Sequence, residues 1–388
     1  MFKRILVTGA GGPGALNLSR SLLMMRPKPW ILAADASEHY VFLALGHERV
    51  LVPRASEGLA YIEAINRLIE LHSIDFVMPN NSLEIRVLSE HREVLKAPVY
   101  LPQLSALDQA NNKWLSYQSF ERHGLPVPRT ILLTDPDQLR EAFVSLQGED
   151  EERVWVRGAG IPGKGIGVAS LPCRTVAQAQ QWVEYWRGWG EMAASEYLPG
   201  ENLTWMGLFK DGKVVTSQGR RRLAYVIAHV SPSGITGAPA ISETISDAEV
   251  NRLGPAAVLA LDPAYTGVAF VDMKGDAQGQ PRITEVNAGR FGTTHFFYSA
   301  AGANFPEYLL RVACGEHLEL PKENILPEGL VWIRTLDAGP VLTTREAIDA
   351  GQYPSLNDAV DRWPRVPQSL SDFSEFNEPF WPPKADSE

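Results

Sequence analysis

The chain has 388 residues, of which 45% are hydrophobic and 21% are charged, a composition typical of a globular protein with two or three domains. Its 36 basic and 46 acidic side chains give a formal net charge of −10, which disfavours a general nucleic-acid-binding role because phosphate backbones need a basic surface. The two cysteines, Cys173 and Cys314, are too few for a disulfide framework and form no Cys-x-x-Cys motif, so we expect a reducing, cytoplasmic environment.

The sequence also predicts a protein without a membrane partner. The start MFKRILV resembles the charged beginning of a signal peptide, but glycines interrupt the apolar run at once, so we expect no export signal. No stretch of about eighteen consecutive apolar residues, the length that a helix needs to cross a bilayer, occurs in the chain. A transmembrane protein is therefore excluded.

Strands and helices alternate in the first part of the chain. The predicted elements are strands at 5–7, 30–34 and 75–78 and helices at 15–25 and 58–72. Alternation of this kind indicates a parallel sheet with helices on both faces. We therefore predict a Rossmann-like α/β domain over residues 1–110.

The turn after the first strand, Gly9 to Gly14, is rich in glycine. Glycines let backbone amides approach a pyrophosphate at a helix N-terminus, and Asp35 stands where an acid could bind a ribose, so an NAD(P)-dependent oxidoreductase is one hypothesis. The spacing is irregular, however, and Pro13 removes one amide donor. No Tyr has a Lys four residues later, the pair that a short-chain reductase would use. A structural turn is the preferred interpretation.

After residue 110 the pattern changes to that of an α+β domain, which we place at 111–314. The predicted elements are helices at 111–123 and 176–186 and strands at 154–157, 167–171, 193–198, 203–210, 213–217, 267–272 and 281–286. Lys210-Asp211-Gly212-Lys213 is a strong hairpin signal. We expect an antiparallel sheet with helices, followed by a C-terminal extension, 315–388, with a strand at 330–335 and an acidic, Pro-rich tail.

A second glycine-rich stretch runs from Gly158 to Gly167. It fits the Gly-x-x-x-x-Gly-Lys part of a P-loop, with Lys164 as the cation, but Gly165 replaces the Ser or Thr that would hold Mg²⁺ and no helix follows. Strands on both sides favour a flexible hairpin that covers phosphates from above. An ordinary long hairpin loop is the alternative.

Three oxygen-bearing residues stand at the ends of two strands that a hairpin would pair. Asp272 lies on the first strand, and Glu285 and Asn287 lie on the second. Hard oxygen donors of this kind suit Mg²⁺ that carries a nucleotide phosphate. Taken alone, these residues are more typical of surface acids on a hairpin, and it is the order of the whole set of candidate residues that favours a metal site.

That order carries a family resemblance. The set consists of Lys113, Arg157 with its Gly-rich loop, Glu196-Tyr197-Leu198-Pro199-Gly200, Asp272, Glu285-Val286-Asn287 and Arg290. Here the sequence resembles the ATP-grasp superfamily, and more narrowly the proteins similar to the carbamoyl phosphate synthetase large subunit. The resemblance spans about residues 3–300. It implies a pre-ATP-grasp domain followed by an ATP-grasp domain, with an ATP subdomain at about 125–200.

The resemblance implies which residues bind ATP. Lys113 and Arg157 would contact the phosphates, and the loop with Gly163, Lys164 and Gly165 would fold over the triphosphate, Lys164 adding a catalytic cation. The other implied contacts are adenine at Glu196 and the backbone around Leu198, and ribose at Glu201 or Asn202. Relatives usually have Gly-Glu-Glu where this chain has Gly200-Glu201-Asn202, so the ribose contact stays open between the last two.

The resemblance also implies the metal and substrate residues. Asp272, Glu285 and Asn287 would bind two Mg²⁺ ions, with Mn²⁺ as a substitute, and Arg290 would stabilise an acyl-phosphate. Arg220 and Arg222 follow a strand in the region where relatives bind the acid substrate, and a solvated charge cluster is the equally weighted alternative. Adjacent strand residues point to opposite faces, so at most two of the three arginines 220–222 face a site. His295, amid aromatic residues, is a further substrate candidate, with core packing as the alternative.

The leading hypothesis is an ATP-dependent ligase that activates a carboxylate as an acyl-phosphate and joins it to an amine, releasing ADP and phosphate. The partners would be a small-molecule acid and amine, with no nucleic acid, and homodimers are common among such relatives. The alternatives are the NAD(P)-dependent oxidoreductase and a non-catalytic ATP-binding protein. The acid and the amine are not readable, because substrate choice depends on loops.

Overall fold

The first part of the chain forms a four-stranded parallel sheet. The computed structural model describes residues 2–148, 152–160, 169–235, 237–334 and 350. The elements up to residue 111 are β1 (Arg4–Thr8), α1 (Pro13–Leu23), β2 (Trp30–Asp35), β3 (Glu48–Leu51), α2 (Leu59–Leu71), β4 (Phe76–Pro79), α3 (Ser82–Glu90) and α4 (Leu104–Asn111). The strand order is β3-β2-β1-β4, and every pair in it is parallel.

Both faces of this sheet are buried, which explains its continuous apolar strands. In β1, Ile5 and Val7 pack with residues of α1, whereas Leu6 packs with residues of α2 and α3. The predicted parallel sheet with helices on both faces is present. The sequence prediction missed β3, which contains the exposed Glu48 and the buried Arg49 in place of an apolar run.

Two antiparallel sheets follow. The smaller one, with strand order β5-β8-β6-β7, is built from α5 (Lys113–Arg122), β5 (Thr130–Leu133), α6 (Pro136–Leu146), β6 (Val154–Gly158), β7 (Leu171–Cys173), α7 (Val176–Tyr185) and β8 (Met192–Glu196). α5 begins later than predicted because the Asn112 side chain accepts a hydrogen bond from the Leu115 backbone N–H and caps the helix. The strand predicted at 167–171 lies at Leu171–Cys173, and residues 167 and 168 lie outside the described residues.

The larger sheet has strand order β13-β12-β9-β10-β11-β14. Its elements are β9 (Asn202–Lys210), β10 (Lys213–Tyr225), β11 (Pro239–Ile245), α8 (Ala248–Leu261), β12 (Gly267–Gly275), β13 (Pro281–Ala288), α9 (Phe296–Ala300), α10 (Phe305–Ala313) and β14 (Val331–Ile333). The predicted β9–β10 hairpin is confirmed: Asp211 and Gly212 have φ of 50° and 73°, the left-handed conformation of a tight hairpin turn. β10 continues to Tyr225, past the predicted end at Ser217.

The two faces of the larger sheet have different neighbours. On one face Trp205, Val271 and Val286 belong to a core that includes α8. The other face packs Met206 and Phe270 with aromatic residues of α9 and α10 and with α1 of the first sheet. Hydrogen bonds from Ser299 and Asn304 to Ser21 also connect this end of the molecule to α1. No helix within the described ranges is long and apolar enough to cross a membrane.

Candidate active site

The site is built on one face of the larger sheet. The strand register places Arg220 beside Thr204, Thr204 beside Asp272, and Asp272 beside Glu285. Residues in register share a face, and neighbouring strands lie about 4.8 Å apart, so the four side chains form one row across β10, β9, β12 and β13. We call this set the central row. The Thr204 hydroxyl donates a hydrogen bond of 2.8 Å to Asp272 Oδ1 within it.

Further site residues flank the central row on the same face. On one side Arg222, Asn202 and Lys274 are in register with one another. On the other side Phe270 pairs with Asn287. Side chains two residues apart on a strand point the same way, which is why these groups converge although they are far apart in the sequence.

The predicted metal ligands meet at the β12–β13 end of the central row. Asn287 Nδ2 donates to Glu285 Oε1 at 3.1 Å, and Arg222 Nη1 lies 3.3 Å from Asp272 Oδ1. No three His, Cys, Asp or Glu side chains cluster as metal ligands in the part of the chain that the structure describes. The donor set therefore consists of two carboxylates and the Asn287 amide oxygen.

A buried ion pair joins this end to α5. Lys113, the first residue of α5, is 4% exposed and its ammonium contacts Glu285 Oε2. Burial opposes ionisation of Glu285, but the Lys113 and Arg157 charges outweigh it and hold the pKa of Glu285 well below its usual range. Burial lowers the pKa of Lys113 and the Glu285 charge opposes that shift. Each partner thus keeps the other ionised.

The smaller sheet supplies the opposite wall. Arg157 on β6 reaches across to donate to the Thr284 carbonyl oxygen at 3.0 Å, and it also contacts the Tyr117 hydroxyl. Trp155, two residues earlier on β6, lies with its ring 6.4 Å from that of Tyr197. This wall therefore combines a cation close to the acids with a flat aromatic surface.

A cavity of about 650 Å³ lies between the two sheets. Among the described residues that line it, the cationic ones are Lys113, Arg157, Arg220, Arg222, Lys274 and Arg290, and the acidic ones are Glu196, Asp272 and Glu285. Six cations against three acids favour anionic ligands. The volume is in the usual range of small-molecule and cofactor sites.

The segment that joins the two sheets borders the cavity. The Glu196 carboxylate accepts hydrogen bonds from Arg129 N (3.0 Å) and Arg129 Nε (2.8 Å), so it holds the segment in place. Leu198 lines the cavity, as does Asn202. Glu201 is turned away and pairs with Arg221 at 2.5 Å.

The three consecutive arginines of β10 alternate as the strand geometry predicts. Arg220 and Arg222 line the cavity, whereas Arg221 points to the opposite side and pairs with Glu201 and Glu243. Arg220 contacts the Thr294 hydroxyl, and Arg222 pairs with Asp272. The expectation that at most two of the three face the site is met.

Arg290 and His295 occupy different places. Arg290 lines the cavity, donates to Asn287 Oδ1 at 2.5 Å and lies 5.2 Å from the centre of the Phe270 ring. His295 is 1% exposed, does not line the cavity, and hydrogen bonds through Nδ1 to the Gly292 carbonyl at 2.8 Å. Burial lowers the pKa of His295 to about 4, so the ring is neutral near pH 7.

The predicted loop residues Gly163, Lys164 and Gly165 lie outside the described residues. The chain is described again from Ala169, whose carbonyl oxygen accepts a 2.8 Å hydrogen bond from Trp182 Nε1. Ala169 and Trp182 both line the cavity, so the loop ends at its edge.

The glycine-rich turn at 9–14 packs tightly against its neighbours. A Cβ atom at Gly11 would lie 2.0 Å from the Tyr40 carbonyl oxygen, and the Gly11 N–H donates to Asp35 Oδ2 at 2.8 Å. The other oxygen of Asp35 accepts from Ser37 N at 2.8 Å. Close packing explains the glycine, and these backbone amides already bind Asp35. The turn does not line the cavity.

Several functional candidates were not predicted from the sequence. Lys274 lies two residues after Asp272 on β12, and this spacing alone predicts that the two side chains share a face of the sheet. Asn17 Nδ2 donates to the Thr293 carbonyl at 2.6 Å, and Asn80 Oδ1 accepts from Phe291 N at 2.9 Å. These long-range contacts had no sequence signal.

The architecture is similar to that of several solved structures. The biotin carboxylase domain of Hydrogenobacter thermophilus 2-oxoglutarate carboxylase, a dimer in complex with MgADP, ADP and bicarbonate, matches with a TM-score of 0.65 at 15% identity over 85% of this chain and 73% of that chain. L-amino acid ligase from Bacillus licheniformis matches at 0.56 and 16%, over 80% and 74% of the two chains. N5-carboxyaminoimidazole synthetase from Staphylococcus aureus matches at 0.58 and 13%, over 85% and 80%. No protein-family model and no curated protein matches the sequence.

The fold therefore defines a class of proteins in which two sheets enclose a cavity. More particularly, it is the ATP-grasp fold, which these neighbours share. The fold that the resemblance to the ATP-grasp superfamily implied is confirmed. The narrower resemblance to the carbamoyl phosphate synthetase large subunit stays a prediction, as do the domain boundaries.

Proposed function

We propose that the protein is an ATP-dependent ligase that activates a carboxylate as an acyl-phosphate and joins it to an amine. The observation that carries the proposal is the convergence of Asp272, Glu285 and Asn287 with Lys113 and Arg157 in one cavity. The fold supports it, since the structural neighbours include ligases and a MgADP complex. The acid, the amine and a homodimeric state, which the biotin carboxylase neighbour shows, belong to the same proposal.

ATP would lie between the two sheets. Trp155 and Tyr197 offer flat surfaces for adenine, and the backbone near Leu198 offers the edge that pairs with it. Asn202 is our candidate for the ribose, because it lines the cavity whereas Glu201 pairs with Arg221 outside it. The phosphates would meet Lys113 and Arg157, the two cations whose charges act most strongly on Glu285.

The site also fits magnesium ions. Asp272, Glu285 and Asn287 present hard oxygen atoms from adjacent strands, and each of the two acids has a cation as its partner. Bound Mg²⁺ supplies neutralisation of the phosphate charge. Lys113 and Arg222 pair with the two carboxylates when no metal ion is bound.

The reaction needs two displacements. A carboxylate oxygen attacks the γ-phosphorus of ATP and ADP leaves, and the amine nitrogen then attacks the acyl carbon, loses a proton and releases phosphate. Arg290, buried beside Asn287, would bind the carboxylate and its acyl-phosphate. The chain's main contribution would be to position the reactants and exclude water from a readily hydrolysed intermediate.

The alternatives have less support. The glycines at 9–14 are explained by packing and by Asp35, so the oxidoreductase hypothesis has no visible site. The two carboxylates and the amide oxygen that line the same cavity count against a non-catalytic ATP-binding protein, because loss of metal ligands would be the simplest mark of an inactive one. The ligase hypothesis uses all of them.

The test uses hydroxylamine, which traps acyl-phosphates as hydroxamates and so replaces the unknown amine. We expect Mg²⁺-ATP to raise the melting temperature, NAD⁺ and NADPH not to raise it, and an acid panel to yield one class that supports ADP and hydroxamate formation. A nicotinamide cofactor that alone stabilises the protein would overturn the ligase proposal.

Glu285→Gln provides the variant test. We expect ADP release to fall a hundredfold or more, because a metal ligand and its charge are lost, with some thermal destabilisation from the unpaired Lys113. Asp276→Asn is the matched control: Asp276 lies in the turn of the same hairpin and pairs with Arg282 at 2.8 Å away from the cavity. Turnover of a folded Glu285→Gln protein at the control's rate would remove Glu285 from the site.

A further inference from the structure

Arg220 is a buried cation without an acidic partner. It is 5% exposed, contacts the Thr294 hydroxyl, and forms no ion pair with any carboxylate in the described ranges, and its Nε has no hydrogen-bond partner. Its strand neighbours differ, since Arg221 pairs with Glu201 and Arg222 with Asp272. A buried guanidinium without an anion is costly, so its persistence beside a cavity points to an anion that arrives from outside.

The surroundings of Arg220 contain a further free donor. Tyr298 Oη is buried without a hydrogen-bond partner in the described ranges, and Tyr298 is close enough to Arg220 for the guanidinium charge to affect its pKa. A Cβ atom at Gly292, which lines the cavity, would lie 3.7 Å from Arg220 Nη2. The small Gly292 thus leaves the guanidinium open to the cavity.

The position of Arg220 separates it from the expected triphosphate site. Lys113 and Arg157 surround Glu285 on β13, whereas Arg220 lies three strands away at the other end of the central row. Strand spacing puts its backbone roughly 10 Å from that of Asp272, two strands away. Thr204 and Asp272 lie between Arg220 and Glu285 in the central row.

We propose that the Arg220 end of the cavity is a subsite for a second anionic group of the acid substrate, which is therefore a dicarboxylate or a carboxylate that also bears a phosphate or phosphonate. Arg220 binds that group with its guanidinium fork, which suits both chemistries. This inference rests on the proposed function for the identity of the first carboxylate. The charge excess of the cavity is consistent with a ligand that brings more anions than ATP alone.

The test compares acids of matched length. Succinate and glutarate are set against butyrate and valerate, and 3-phosphonopropionate against succinate to distinguish phosphonate from carboxylate. We expect the dianions to raise the melting temperature of the wild-type protein more than the monoanions. Arg220→Gln should abolish that difference and, where an acid supports ADP release, raise its KM about ten- to hundredfold, the effect of losing a charge-assisted hydrogen bond.

Arg221→Gln is the matched control, because it removes the neighbouring guanidinium from the opposite face of the strand and should keep the dianion preference. Arg220→Lys keeps the positive charge but lacks the forked guanidinium, so it should retain part of the dianion preference. This variant preserves the test if Arg220→Gln does not fold. Equal shifts by monoanions and dianions in the wild type, or an unchanged preference in Arg220→Gln, would overturn the subsite. Failure of the proposed function is distinct: Mg²⁺-ATP would then not stabilise the wild type, whatever the acids do.

Discussion

Burial determines the ionisation of single residues in this molecule more than exposed charges do. Lys113 and Glu285 keep each other ionised in a place where neither would stay charged alone. The two predicted site residues with the least support in the geometry illustrate the same effect. His295 is held neutral behind the cavity wall, and Glu201 is drawn outward by Arg221.

Glu84 offers a test of this effect away from the cavity. It is 5% exposed on α3 and accepts a 2.8 Å hydrogen bond from the Thr8 hydroxyl, and burial raises its pKa to about 7. A folded-state pKa above the unfolded value means that the folded protein takes up a proton, so this carboxyl lowers stability as pH rises from about 4.5 to 7.

The unfolding free energy of Glu84→Gln should lack this fall with pH. We therefore expect the difference in unfolding free energy between variant and wild type to shift by about 2 kcal/mol in favour of the variant from pH 5 to pH 8. The amide keeps an acceptor for Thr8 and does not titrate. Urea unfolding of both proteins at the two pH values measures the difference. Parallel pH dependence of the two proteins would show that Glu84 titrates normally.

At the scale of elements, the strand register assembles the site. The period of two along a strand was enough to predict that Arg220 and Arg222 share a face, and the Asp-Gly turn was enough to predict the β9–β10 hairpin. Helix α8 packs on the face of the larger sheet opposite the site, but the hydrophobic periodicity of the sequence did not reveal it. The apolar sequence of α8 contains Gly254 and Pro255, residues that usually end helices.

Gly254 has a packing role that can be tested. A Cβ atom there would lie 2.3 Å from Trp205 Cδ2, and Trp205 is fully buried on β9. Alanine is the better helix former by about 1 kcal/mol, yet we expect Gly254→Ala to lower the unfolding free energy by about 1–3 kcal/mol through overpacking. Urea denaturation measures it. In a Trp205→Leu background the same substitution should cost less, and additive effects would contradict this explanation.

At the scale of the whole molecule, the parallel sheet supports the segment that follows β13. Asn17 in α1 hydrogen bonds to Thr293, and Asn80 after β4 hydrogen bonds to Phe291; both partners lie in the segment that carries Arg290 and Thr294. The first sheet thus contributes to the site through these two hydrogen bonds. Its role would be to position substrate-binding residues.

Variants of the adjacent residues Asn80 and Asn81 distinguish this positioning role from an effect on stability. Asn80→Ala should lower kcat/KM for the acid about tenfold, because the segment with Arg290 loses its anchor, while the affinity for Mg²⁺-ATP is unchanged. Asn81→Ala removes the cap of α3, where Asn81 Oδ1 accepts from Leu83 N at 2.9 Å, and should cost about 1 kcal/mol of stability with normal kinetics. Steady-state kinetics and melting curves of both variants measure these effects, and equal kinetic losses would argue against a positioning role.

The sequence by itself determined the alternation of the first domain, the hairpin at 210–213 and, through the order of Lys113, Arg157, Asp272 and Glu285, the superfamily resemblance. These are local periods, turn chemistry and chemically constrained residue types, all of which are legible along one chain. Only the tertiary structure decided that Glu201 leaves the site, that His295 is buried behind it, and that Arg220 stands without an anion. Those outcomes depend on which side chains from distant strands become neighbours, and partner, burial and charge balance exist only once the sheets have paired.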